Sequence, residues 1–243
     1  MGSNSAHFAN GDVVERISAS PLDVPEELLE KVVQMLRSTD RAKVVSAAAN
    51  IEYLVASSLP RGRLPKWGIW PWSARGAERN RDALGKAEGI WERLLELLKL
   101  PDPEVTSQVC GAMSKMVFRH EANARMAVTH PGMLDALTDL LDGSAHCFLE
   151  QEQAWRVLQN CISCTSSNSS IKATVCESER LLEFLREACT CSLEQLRMRA
   201  VSVVMHASSN DQARVCLRKV RHHQQHRWGP LWRRTPLQST YLH

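Results

Sequence analysis

Apolar positions along this chain recur at helical spacing, and the phrase they compose recurs as well. Each copy opens on an asparagine and a short apolar run. It continues through a doubled-leucine helix and, after a turn, closes on a long helix rich in alanine and valine. The copies start at Asn80 with LLELL, Asn123 with MLDALTDLL and Asn168 with RLLEFL; a further one starts at Asn210 and finds no leucine helix. A repeat of about 42 to 45 residues made only of helical patterns predicts a helical solenoid, in which each helix has one wide apolar face that only a neighbour can bury.

The same pattern sets the expected boundaries. Residues 1–20 are small and polar without a sustained period, so disorder is expected there. Residues 21–58 hold a first, partial repeat: Leu28, Leu29, Val32, Val33 and Leu36 lie on one helical stripe, and Val44, Ala47, Ala48, Ile51, Leu54 and Val55 on another. Residues 59–79 break the period with prolines, glycines and tryptophans, which predicts an insertion loop. Trp67, Trp70 and Trp72 in it either pack back on the solenoid or form a secondary contact for a partner. Residues 80–217 carry about three repeats and the start of another. Residues 218–243 read as a basic, disordered tail, with truncation or alternative splicing at this end as the other explanation. The fold expected is an all-α, right-handed superhelix of about eight to eleven helices with disordered termini.

Charge alters this picture in two places. In a total of +3, residues 60–81 hold six basic side chains against the single acid Glu78, and residues 214–243 hold seven against none, so the repeats between are net acidic. The two basic segments, with the tryptophans interleaved among arginines in the first, suggest a nucleic-acid-associated protein as the alternative function. The eight cysteines fall mostly on apolar helical faces, the pattern of free thiols in a reducing compartment. No membrane span and no signal-peptide core is present in the sequence, so the cytoplasm, the nucleus or both are expected. An N-terminal MGS suggests myristoylation, but that motif needs Ser or Thr where Ala6 stands.

Catalytic and metal motifs are missing or incomplete. There is no phosphate-binding loop, dinucleotide fingerprint or nucleophile elbow. His120 and Glu121 begin a zinc-protease motif that Ala124 leaves unfinished, and Cys161 and Cys164 form a lone CxxC at the end of a helix. No cofactor, no metal and no enzymatic activity are therefore expected.

At NARMAVTHPGMLDALTDLL and AWRVLQNCISCTSSN the chain resembles an armadillo repeat. Gly132, Leu137, Leu140, Leu141, Val157, Leu158, Asn160 and Asn168 fall on that family's positions, and Gly89, Leu94, Leu97 and Leu98 match the copy before. The resemblance covers about 130 residues. HEAT repeats, of similar length, have two helices and lack such a glycine. The resemblance implies third helices lining a concave groove, with an asparagine ladder that binds the backbone of an extended peptide. Asn160 is the matching residue. The aligned positions elsewhere are Tyr53, Lys115 and His206, and Arg156 stands where importin-alpha-like grooves have a tryptophan, which argues against recognition of nuclear-localisation signals. Lys115, Arg119, Arg156, Asn160, Arg199 and His206 should share the concave side, making a basic trough for an acidic or phosphorylated segment of a protein partner. The expectation is a monomeric, non-enzymatic adaptor or scaffold.

Overall fold

The computed structural model describes residues 26–55, 71–164 and 170–225. These form twelve helices and no strand. In chain order they are α1 (Glu26–Leu36), α2 (Arg41–Val55), α3 (Pro71–Lys86), α4 (Ile90–Leu98), α5 (Pro103–Val117), α6 (Glu121–Thr129), α7 (Met133–Asp139), α8 (Phe148–Ser163), α9 (Ser170–Glu177), α10 (Glu179–Thr190), α11 (Glu194–Ala207) and α12 (Asp211–Gln225). Two boundaries differ from expectation. The end of the segment read as an insertion loop is already helical from Pro71, and the start of the basic tail continues α12 to Gln225. Trp67 and Trp70 lie outside the described residues; Trp72 falls in the first turn of α3, where only the backbone is described.

The long helices α2, α5, α8 and α11 pack side by side in sequence order, and the first helices α3, α6, α9 and α12 do the same. Between these layers runs one apolar core, continuous from Val32 to Ala213, that includes every apolar position named above on α2. Each large side chain fully removed from water there contributes about 1.5–3 kcal/mol. Trp155 is 1% exposed and belongs to this core rather than to a surface site.

Local chemistry sets the corners. Gly89 (φ 67°) and Gly132 (φ 79°) sit between the first helix and the leucine helix of their repeats, in the left-handed region where a side chain is strained. The next copy makes this corner differently, with Ser178 accepting a hydrogen bond from Leu181 N at the start of α10. Asp102 starts α5 by accepting from the amides of Glu104 and Val105, with Pro103 in the first turn.

The recurring asparagines hold the joints between repeats. Asn80 donates from Nδ2 to the Leu54 carbonyl (2.7 Å), and Asn123 donates to the carbonyls of Met116 (3.0 Å) and Arg81 (2.8 Å), so each ties a first helix to the carboxyl end of the long helix before it. Asn210 accepts from Ala213 N and starts α12; Asn168 lies outside the described residues. Buried Arg81 satisfies two helix ends at once, donating to the Val55 carbonyl (2.8 Å) and the Lys115 carbonyl (3.1 Å), where the helix dipole favours a cation.

Candidate functional site

Side chains on one face of the α2–α5–α8–α11 layer form the candidate site. Glu152 on α8 is 6% exposed, and its Oε1 accepts from Arg156 Nη2 one turn on (3.0 Å) and from both Nε (3.2 Å) and Nη2 (3.0 Å) of Arg199 on α11. Arg199 Nη1 reaches Gln159 Oε1 (2.9 Å), and Gln159 donates to Ser202 (2.9 Å), so this network binds the last two long helices together. Asn160 donates from Nδ2 to the Ser114 carbonyl of α5 at 2.8 Å.

A second cluster lies between α2, α5 and α8. The Glu52 carboxylate of α2 rests over Gly111 of α5, so close that a Cβ at Gly111 would stand 1.9 Å from Glu52 Oε1 and 3.8 Å from Gln153 Oε1. Burial raises the pKa of Glu52 above the ordinary carboxylate range, and the positive charges of Lys115 and Arg156 pull it back. Among the described residues Glu52 makes no direct hydrogen bond or ion pair, and Gln153 Oε1 is buried without a donor.

Sequence-expected residues are thus only partly assembled. Lys115, Arg156, Asn160 and Arg199 belong to this face. Arg119 stands at the carboxyl end of α5 in a left-handed conformation (φ 54°), its guanidinium 5.3 Å from the centre of the exposed Phe118 ring, which Arg81 also approaches at 5.8 Å. His206 is exposed at the end of α11 and joins neither cluster. The trough is not uniformly basic, because Glu52 and Glu152 lie among the cations. Glu152 had a readable signal, since it precedes Arg156 by four residues on one helix. Glu52 and Gly111 meet only through the stacking of α2 on α5, which no local pattern encodes.

All eight cysteines are free thiols. Burial pushes the Cys164 thiol up to about 11 and that of Cys176 up to about 12, which leaves them unreactive near neutral pH. Among the described residues no His, Cys, Asp and Glu side chains group to hold a metal ion, and no helix is long and apolar enough to cross a membrane.

No protein-family model and no curated protein matches the sequence. Solved structures are similar in fold. An engineered protein superposes with a TM-score of 0.62 at 21% identity, covering 79% of this chain and 67% of its own. A designed armadillo repeat protein in complex with the peptide (KR)4 gives 0.64 at 18% identity, with 87% of this chain and 75% of that chain covered. Computationally designed armadillo repeat proteins for modular peptide recognition give 0.53 at 18%, covering 79% and 87%. The fold is therefore an all-α solenoid of the armadillo type.

Proposed function

We propose that this chain is a non-enzymatic adaptor that holds an extended segment of a partner protein against the α2–α5–α8–α11 face, the groove side of an armadillo-type solenoid. The observation that carries the reading is a set of solvent-facing donors on that face with no protein acceptor among the described residues. Lys115 Nζ and two of Arg156's nitrogens have no acceptor among the described residues, while Arg156 Nη2 and all of Arg199's bonded nitrogens are taken up by Glu152 and Gln159. Unused donors in a polar, half-buried strip suit the carbonyls and acidic side chains of an extended chain. The protein bound to (KR)4 holds a basic peptide; the cations Lys115, Arg156 and Arg199 on this face favour an acidic or phosphorylated segment here.

The test is affinity capture from a cell lysate with quantitative proteomics, using wild type beside Lys115→Glu/Arg156→Ser. Both substitutions stay outside the apolar core, and Glu152 keeps Arg199. The same proteins should be recovered by wild type and lost by the variant, with the loss shrinking as salt rises. Undiminished recovery by a folded variant would move the site off this face.

A further inference from the structure

Resting on that reading, we propose that the space above Gly111 is a subsite for one side-chain carboxylate of the partner segment, and that Glu52 fills it in the free chain as an internal stand-in. Four observations converge there. Gly111 has no Cβ, and the Glu52 carboxyl occupies the volume that a Cβ would need. Two cations on two different helices, Lys115 and Arg156, act electrostatically on that carboxyl and lower the pKa that burial raises. Neither closes a direct ion pair with it among the described residues, although Arg156 does close one with Glu152 at 3.0 Å. Gln153 Oε1 lies across the same opening without a donor.

An acid whose only role was to neutralise Lys115 and Arg156 would be expected to reach one of them. Glu52 instead sits in their joint field, partly desolvated, in a position that an incoming group can take with better geometry. A carboxylate arriving on an extended chain would accept from Lys115 Nζ and the unused Arg156 nitrogens, and the chain's own N–H would supply the donor that Gln153 Oε1 lacks. Glu52 would then turn outward into water, where its charge is fully solvated. The planar, two-oxygen shape of the group now lying on Gly111 is what assigns a carboxylate rather than a phosphate to the subsite. Glu52 is accordingly a specificity-determining residue: it competes with the segment for Lys115 and Arg156, and only a segment that brings an acid to this point restores a negative charge beside them.

Fluorescence anisotropy with a labelled octaglutamate peptide at low salt tests this. Glu52→Gln keeps the shape and removes the competing charge, so its affinity for octaglutamate should rise about tenfold over wild type, the factor by which the stand-in depletes the open state. Glu183→Gln removes an equal charge from an exposed position on α10 and should change little. Lys115→Ala added to Glu52→Gln should abolish the gain. An unchanged or weakened affinity in Glu52→Gln, a gain matched by Glu183→Gln, or no binding by any variant would each overturn the inference. A larger gain for an octaphosphoserine peptide would assign phosphate and overturn the carboxylate. Any of these failures leaves the groove reading to be judged by the capture experiment, which uses neither Glu52 nor these peptides.

Discussion

Glu152 on α8 and Arg199 on α11 form a two-pronged ion pair in which Nε (3.2 Å) and Nη2 (3.0 Å) of the guanidinium converge on a single carboxylate oxygen. Arg156 shares that oxygen, so two guanidiniums are held together by one buried acid. The arrangement is asymmetric: the acid is almost fully buried, whereas each arginine keeps nearly a third of its side chain in water.

That asymmetry predicts unequal mutations. Glu152→Leu leaves two neighbouring cations without their common partner and should destabilise the protein by about 2 kcal/mol. Arg199→Met still leaves Glu152 paired with Arg156 and should cost under about 1 kcal/mol. Urea unfolding of the two variants at unchanged slope separates them; equal losses would show that the network is not organised around Glu152.

Asn123 offers a second test. It is 3% exposed, and its carboxamide satisfies carbonyls on α5 and α3. Asn123→Ala strands both acceptors in the core and should destabilise by about 2 kcal/mol. Asn123→Asp should do worse, because a carboxylate cannot donate and would be buried against two carbonyl oxygens. A melt within a degree of wild type for Asn123→Ala would mean that the repeat's joints do not depend on these bonds.

The asparagines also mark how far the sequence could be read. Their period, with the glycines and leucines between, was enough to place the repeats, since each unit buries the same stripe against the next. Their role was less visible: the motif looks like a helix start, yet Asn80 and Asn123 act across repeats on the preceding long helix. The candidate face was legible only where its chemistry is local. Lys115, Arg156, Asn160 and Arg199 could be placed on the long helices by helical phase. Whether a cation meets an acid on another helix depends on side chains 40 or more residues away, as with Arg199 and Glu152 at a separation of 47. Asn160's bond to Ser114, 46 residues back, was hidden for the same reason.

Gly132→Ala isolates the corner between α6 and α7. The nearest atom to an added Cβ is Leu95 Cδ2 at 3.7 Å, an ordinary contact, so any loss comes from the backbone at φ 79° rather than from a clash. The expected destabilisation is about 1–2 kcal/mol. Gly143→Ala, in a turn with no left-handed φ, should be neutral or slightly stabilising. Thermal melts of both variants check this, and a neutral Gly132→Ala would show that α7 can begin without the left-handed residue.

Glu52 gives the chain a pH signature of definite sign. Its folded pKa is raised because burial disfavours the charged carboxylate, and Lys115 and Arg156 only partly offset this. A raised acid binds its proton more tightly in the folded state than in the unfolded one. Its charged form therefore weakens the fold at neutral pH, and that handicap is relieved as pH falls through the raised value toward the ordinary carboxylate range. Glu52→Gln, which is never charged, should be more stable than wild type near neutrality, and the difference should shrink on acidification. Paired urea titrations from neutral pH down to mildly acid conditions would measure it. Acids paired with cations behave oppositely: Asp102, which the Arg41 guanidinium holds down to about 2, contributes stability that is present above the ordinary carboxylate range and is lost as pH falls toward that value. A Glu52→Gln variant less stable than wild type at neutrality would reverse the sign, and would mean that the Glu52 charge is held by Lys115 and Arg156 more strongly than burial opposes it.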